Sequence, residues 1–265
     1  MTQLQPYYVS AHNLAKSSEN KIHDDSVAQR FGFRGGLVPG VEIFAYMSHM
    51  PVVKWGRSFL LFGAMEARFT KPVYDGELAC VAAEDADGGL AITVESRGEV
   101  CARGHATIKT SSPTLSLDDF QNVAATPERR PVGADTYRTG HWLGISPYRQ
   151  GADAAREYLH NIRETDPIYA DQKIIHPGML ARMMNWTLME NAILGPWIHV
   201  GSTIQYLNAA SVDDEITVRA IVADNYERKG HKFVKLDGVI VANGRTPIAQ
   251  CQHTAIYQPR ESEAA

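Results

Sequence analysis

The sequence predicts an α+β chain built from two tandem copies of one unit, each a long buried helix covered by an antiparallel sheet. Three observations predict it. The chain repeats itself at a nearly constant spacing, each copy holds an apolar helical segment opened by Pro-Gly, and each such segment is followed by about four strand-like runs.

The repeat sets the domain organisation. GGLVPGVEIFAYM (Gly35 to Met47) aligns with QKIIHPGMLARMM (Gln172 to Met184), so that Pro39-Gly40 falls on Pro177-Gly178, 138 residues later. The same spacing pairs Gly63 with Gly201, Asp75 with Asp213 and Glu77 with Glu215. His105 in GHATIK pairs with His253 in QHTAIY at a spacing of 148, so the later strands of the second copy carry about ten extra residues. The copies are read as residues 1–115 and 150–265, with 116–149 as a linker; SSPTLS and ATPERRPVGAD have loop compositions and mark the passage between them.

Within the first copy, VEIFAYMSHM is apolar nearly all round, which suits a helix buried on most sides. In the second, Leu180, Met183, Met184, Thr187 and Leu188 follow the i, i+3, i+4, i+7, i+8 stripe of a helix with one buried face. The strands expected next are SFLLFGAMEARF, ELACVAA, LAITVES and VCARGHATIK, and their counterparts HVGSTIQYL, EITVRAIVA, KFVKLDGVIVA and PIAQCQHTAIY. Asp75-Gly76, Arg97-Gly98 and Asn243-Gly244 are turn pairs that favour hairpins. Joining the two sheets edge to edge removes two exposed edges.

Composition narrows the function. The 265 residues carry a net charge of −4 and are 44% hydrophobic, an ordinary globular balance without the basic field that nucleic acid requires. No apolar run reaches the roughly 20 residues of a membrane span, and the N-terminal segment lacks the basic start and apolar block of a secretory signal. Cys80, Cys101 and Cys251 have no metal-like spacing and read as reduced thiols of a cytoplasmic protein. With no further His/Cys cluster, no metal is expected. GFRGGLVPG lacks the strand–GxGxxG–helix order of a dinucleotide site, and there is no G-x-S-x-G elbow.

One segment is more specific. SENKIHDDSVAQRFGFRGGLVPGV (Ser18 to Val41) resembles the signature of MaoC-like (R)-specific enoyl-CoA hydratases: D-x-N-P-x-H, then Asp and Ala, then Gly-Phe, then an (H/P)-G-(M/V) helix start. In register, Asn20 matches the Asn and His23 the catalytic His, followed by Asp25, Ala28, Gly32-Phe33 and Pro39-Gly40. The second copy has ETDPIYAD (Glu164 to Asp171) and HPGM (His176 to Met179), with Tyr169 in place of the His. The layout resembles the double hotdog fold of that family. The sequence departs from the pattern at Ser18, where the family has its catalytic Asp, and at Lys21, where it has Pro; the second copy has Glu164 and Tyr169 in place of the Asp and His.

The resemblance implies a hydratase/dehydratase of 2-enoyl or 3-hydroxyacyl thioesters, carried on coenzyme A or acyl carrier protein, with no cofactor beyond that carrier. Such chemistry needs a base for water, an acid for the α-carbon and donors for the thioester oxygen. His23 is the candidate acid/base. Gly40, opening the first helix, is the candidate oxyanion site, with Pro39 and Val41 beside it in contact with substrate. Asn20 is a candidate to orient water or substrate and Ser18 to hold a water. Glu19, Asp24 and Asp25 are the candidates for the absent carboxylate, and Lys54, Arg57 and Arg34 for contact with carrier phosphates.

Other readings of the same residues stand beside these. Pro39-Gly40 also fits a tight helix start, and His23-Asp24-Asp25 a solvated turn and cap. His105 and His253 read as sheet histidines with ordinary partners. Met179, Met183, Met184 and Met189 read as core or as tunnel lining. At the level of function the rivals are a hotdog thioesterase, a non-catalytic acyl-binding protein with a decayed dyad, and a related isomerase or cyclase. The duplicated chain is expected as a monomer containing a pseudo-dimer, or as a homodimer.

Overall fold

The computed structural model describes residues 4–109 and 115–260. Residues 1–3 of the N-terminal segment, residues 111–114 of SSPTLS and the last five residues of the second copy lie outside the described residues.

Eleven strands form one sheet. The first half supplies β1 (Tyr7–Ser10), β2 (Gly63–Phe69), β3 (Leu78–Ala86), β4 (Gly89–Ser96) and β5 (Glu99–Ile108). The rest of the chain supplies β6 (Trp142–Gly144), β7 (Tyr148–Arg149), β8 (Ile198–Tyr206), β9 (Glu215–Arg228), β10 (His231–Ala242) and β11 (Thr246–Gln258). The order across the sheet is β1-β3-β4-β5-β2-β8-β11-β10-β9-β6, with β7 also on β9. The halves meet where β2 pairs antiparallel with β8, from Ala64 opposite Gln205 to Arg68 opposite Gly201. The chain has two long central helices, α2 (Gly40–Trp55) and α6 (Pro177–Met189), which follow the short α1 (Asp25–Arg30) and, in the second half, α4 (Ala152–Asn161) and α5 (Ile168–Asp171). They lie against the sheet and against each other. α2 is buried from Val41 to Val52, as its all-round apolar sequence requires.

The repeat is written in the backbone hydrogen bonds. Val38 N donates to Val73 O at 2.9 Å, and 137 residues later Ile175 N donates to Ala210 O at 2.9 Å. Thr70 N and Lys71 N share Cys101 O; Leu207 N and Asn208 N share Ile248 O, so the spacing grows from 137 to 147 within one motif. The extra ten residues lengthen the later strands: β9, β10 and β11 have 14, 12 and 13 residues against 9, 8 and 10 in β3, β4 and β5. Arg97-Gly98 and Asn243-Gly244 each have two positive φ angles, the geometry of a type I′ hairpin turn.

Three expectations change. The run SFLLFGAMEARF is not one strand: α3 (Arg57–Phe62) takes its first half and β2 begins at Gly63. A short apolar run reads equally as helix or strand, and here Gly56, at φ 56°, turns the chain into a second short helix. Asp75-Gly76 closes no hairpin, because β2 and β3 are not neighbours in the sheet. Part of the segment read as linker also enters the sheet, since β6 and β7 pair with β9. Among the described residues no helix is long and apolar enough to cross a membrane.

Candidate functional site

A cavity of about 240 Å³ opens at the start of α2, with walls from both halves. Asn20, His23, Pro39, Gly40 and Lys71 line it from the first half, and Asn185, Trp197 and His199 from the second, over an apolar floor that includes Ile43, Phe69 and Val73. Four of the sequence-predicted site residues therefore meet in one place.

The helix start is open. Pro39 is the N-cap residue and no side chain caps the helix; Glu42 N and Ile43 N donate to Pro39 O, which leaves the Gly40 amide for whatever enters the cavity. A β-carbon on Gly40 would fall 2.8 Å from His199 Nδ1 and 3.1 Å from the Phe69 ring, which is why glycine is needed to keep this amide accessible. Val41 is buried at 1% exposure behind Gly40 and does not line the cavity.

His23 is set by its neighbours. Its Nδ1 lies 2.7 Å from Leu37 O, and a carbonyl only accepts, so Nδ1 carries the proton and Nε2 holds the lone pair. Asn20 Nδ2 donates to that Nε2 at 3.2 Å and to Trp197 O at 3.0 Å. Asn20 Oδ1 accepts from Trp197 N at 3.1 Å and from Ile22 N at 3.3 Å, capping the turn that carries His23. Burial pushes the His23 pKa down to about 4, against the pull of the Leu37 carbonyl and with a further push from Arg182. The ring is neutral at neutral pH.

The other sequence candidates sit elsewhere. Ser18 Oγ donates to Asn20 O at 3.3 Å and does not line the cavity. Glu19 is held by Arg129, Asp24 caps α1, and Asp25 Oδ1 accepts from Gly36 N. None of the three bonds the His23 ring, and no Asp or Glu lines the cavity among the described residues. The assignment of Lys54 and Arg57 to this site is corrected by position. Lys54 ends α2 in an ion pair with Asp85, and Arg57 opens α3 bonded to Gln172. Fourteen residues of helix at about 1.5 Å each separate Lys54 from Gly40, roughly 21 Å. Arg34 pairs with Glu77 and stacks on Tyr74. Met183 and Met184 are core, and no methionine lines the cavity among the described residues.

The equivalent helix start in the second half is capped, although a smaller cavity of about 160 Å³ lies beside it, lined by Tyr158, Tyr169 and His176. His176 Nδ1 accepts from Gly178 N at 3.0 Å, capping α6, and the Tyr158 hydroxyl lies where a β-carbon on Gly178 would point. Glu164, at the position of Ser18 in the repeat, accepts from His49 at 2.7 Å, His176 at 3.3 Å and the amides of Thr165 and Asp166. Burial opposes its charge, but the hydrogen bonds of His176 and His49 win and hold the carboxyl well below the usual carboxylate range. Its partner His176 is kept neutral by burial.

Sequence reasoning missed His199. It is 6% exposed, lines the cavity, and has no partner at Nδ1. The repeat gave no signal for it, because the first copy at the matching spacing is the end of α3 and carries no histidine. His105 bonds Ala86 O at 3.1 Å and His253 bonds Ser202 at 2.9 Å, ordinary partners within the sheet. No group of three or more His, Cys, Asp or Glu placed to hold a metal occurs among the described residues.

No family model matches the sequence, and no curated protein matches it. Solved structures do. A double hotdog protein of Mycobacterium tuberculosis, described as essential for bacterial survival during infection, matches with a TM-score of 0.64 at 13% identity, over 97% of this chain and 96% of that one. A protein described as a MaoC domain dehydratase from Chloroflexus aurantiacus matches with a TM-score of 0.62 at 10% identity, over 97% and 94%. A protein described as an oleoyl thioesterase from Lactobacillus plantarum matches with a TM-score of 0.52 at 10% identity, over 98% of each chain. The chain is a double hotdog protein with one open and one capped helix start. Its fold is that of MaoC-like dehydratases, a likeness of architecture carried at low sequence identity.

Proposed function

We propose that the cavity at Gly40 binds an acyl thioester and that the protein hydrates 2-enoyl thioesters, or dehydrates 3-hydroxyacyl thioesters, on coenzyme A or acyl carrier protein. The observation that carries this reading is the uncapped start of α2 opening into the same apolar cavity as His23 Nε2. A thioester carbonyl seated at Gly40 would accept from a free amide at the positive end of a buried helix. For hydration, Nε2 takes a proton from water while the water oxygen bonds to C3. The C2=C3 electron pair moves toward the thioester oxygen, giving an enolate held at Gly40. C2 then takes the proton back from Nε2, so one ring closes the proton balance and ends neutral. Nε2 must first exchange its bond with Asn20 Nδ2 for one with water. A pKa of about 4 makes the ring a weak base and its protonated form a strong acid, which favours the second step.

A second reading has its own support. No carboxylate lines the cavity and the Nε2 lone pair is already bonded, which suits a protein that holds an acyl group without turning it over. The same carboxylate gap speaks against a thioesterase, which needs one aimed at the carbonyl. The test is incubation with crotonyl-CoA and longer enoyl-CoAs, following loss of the conjugated absorbance. Hydration that disappears in His23→Ala supports the lyase. Free thiol release indicates a thioesterase, and binding without turnover the acyl-binding protein.

A further inference from the structure

His199 presents one bound and one unbound ring nitrogen at the mouth of α2. Nε2 lies 2.8 Å from Ser202 Oγ, which lies 2.9 Å from His253 Nδ1, and the two rings stack with centroids 4.2 Å apart. Both rings are buried, at 6% and 1% exposure. A serine hydroxyl has one hydrogen, so it donates to one ring and accepts from the other, and the two proton orders differ in where an N–H is stranded.

In the first order, His199 Nε2–H donates to Ser202, Ser202 donates to His253 Nδ1, and the His253 hydrogen sits on Nε2. That atom is buried without a partner and away from the cavity. In the second, His253 Nδ1–H donates to Ser202, Ser202 donates to His199 Nε2, and the His199 hydrogen sits on Nδ1, a buried atom beside Gly40. A stranded interior N–H is costly, because it gives up its bond to water and gains none. The second order puts the unpaired donor where an incoming ligand can accept from it. Burial first, and the stacked His253 second, push the His199 pKa well below its ordinary value against the pull of the Gly201 backbone, so the ring stays neutral.

We propose, resting on the acyl-thioester reading above, that His199 Nδ1–H is the second donor to the thioester carbonyl oxygen, beside the Gly40 amide, with Ser202 and His253 fixing its tautomer. The point where a Gly40 β-carbon would lie is 2.8 Å from Nδ1, so this ring nitrogen and the Gly40 backbone are immediate neighbours at the helix start. Two preformed donors converging on one oxygen in a dry pocket are what enolate formation demands. His199 gives up no proton; it polarises the carbonyl as a neutral imidazole, and His23 carries the proton transfers. Ser202 acts through His199 and is a positioning residue.

The test uses the whole chain. Nitrogen-15 NMR of histidine-labelled protein is expected to find His199 protonated at Nδ1, and Ser202→Ala is expected to mix its tautomers. A bare Nδ1 in the wild type overturns the proposal and leaves the acyl-thioester reading intact. Hexadienoyl-CoA serves as the optical probe, because its conjugated band moves to longer wavelength when the carbonyl is polarised. The red shift is expected with wild type and with His23→Ala, and is expected to vanish in His199→Phe while calorimetry still detects binding. His199→Gln, which restores a donor, is expected to recover part of it. With crotonyl-CoA, His199→Phe is expected to lower kcat about 100-fold with little change in KM. A full red shift in His199→Phe overturns the proposal. A probe that does not bind wild type overturns the acyl-thioester reading and this inference together. If His199→Phe does not fold, the tautomer and the His199→Gln spectrum decide.

Discussion

Asn20 and Trp197 exchange a reciprocal pair of hydrogen bonds across the two halves of the chain: Asn20 Nδ2 donates to Trp197 O at 3.0 Å, and Trp197 N donates to Asn20 Oδ1 at 3.1 Å. The same amide bonds His23 Nε2. One buried side chain thus ties the fold of the second half to the acid/base candidate of the first.

Removing it therefore has two consequences. Asn20→Ala leaves the Trp197 amide and carbonyl unpaired in a buried setting, and at about 1–3 kcal/mol per stranded group we expect a loss of roughly 2–6 kcal/mol in urea unfolding. Asn20→Asp acts differently. It keeps an acceptor for Trp197 N and Ile22 N and sets a carboxylate against His23 Nε2, which favours the protonated ring. The His23 pKa is expected to rise above its value of about 4, read by NMR titration of its ring protons. An unchanged titration in Asn20→Asp would mean that the amide does not face the ring.

The two helix-start glycines should respond to alanine in different ways. On Gly40 the new methyl meets His199 Nδ1 at 2.8 Å and the Phe69 ring at 3.1 Å, both of which border open cavity and can give way into it. Gly40→Ala is expected to fold with less than about 1 kcal/mol lost while blocking the site. On Gly178 the methyl meets the Tyr158 hydroxyl and Ala45, with the Ala45 Cα at 3.2 Å, so α2 itself is in the way. Gly178→Ala is expected to cost about 1–3 kcal/mol by overpacking and to leave ligand binding per folded molecule unchanged. Thermal unfolding and calorimetric titration with crotonyl-CoA measure the two effects separately. Equal binding by wild type and Gly40→Ala would place the ligand somewhere other than this helix start.

Position along α2 yields a third expectation. Lys54→Ala and Arg57→Ala should leave the KM for an enoyl-CoA within about twofold, because their partners Asp85 and Gln172 lie at the far end of the helix. Lys71→Ala, at the cavity and paired with Glu99 at 2.6 Å, should raise KM, and more so at low salt. Steady-state kinetics across a salt series checks both; a large KM effect at Lys54 would put the carrier on the other side of the molecule.

The contrast between Lys54 and Gly40 explains what was legible in the sequence. Pro39-Gly40, Asn20 and His23 lie in one short stretch whose turn and helix start are local structures, so the resemblance to a contiguous family signature was enough to bring them together. The strands were legible as a repeat because Gly, Asp and Pro recur where the backbone must turn. Arg57 to Phe62 was not, because a six-residue apolar run carries no period that separates helix from strand. His199 was hidden for a different reason. It reaches the cavity from β8, more than 150 residues after Gly40, through the β2–β8 pairing that only the folded sheet supplies. Lys54 was misplaced because nearness in sequence along a helix is distance in space.

Acid should unfold the protein in stages whose order follows from its buried groups. Burial holds His23 at about 4 and His253 at about 3, and lowers His176 and His199 as well. An unfolded imidazole takes its proton near 6.5, while these folded ones do not, so the unfolded chain binds more protons as the pH drops. Their contribution is complete above pH 6.5 and is lost progressively as pH falls toward the folded values. Glu164 is also depressed, with the same sign but a lower window: its stabilisation is present above about 4.5, the ordinary carboxylate value, and fades below it. Urea unfolding at a series of pH values is expected to be flat above pH 7 and to fall between 6.5 and 4, each neutral buried histidine adding up to about 1.4 kcal/mol per pH unit to the slope. His253→Phe removes one such group and should make the slope between pH 6.5 and 4 shallower, whereas Glu164→Gln should lower stability at neutral pH and weaken the dependence only below pH 4.5. A stability that does not change between pH 7 and 5 would mean that these rings take up protons in the folded chain.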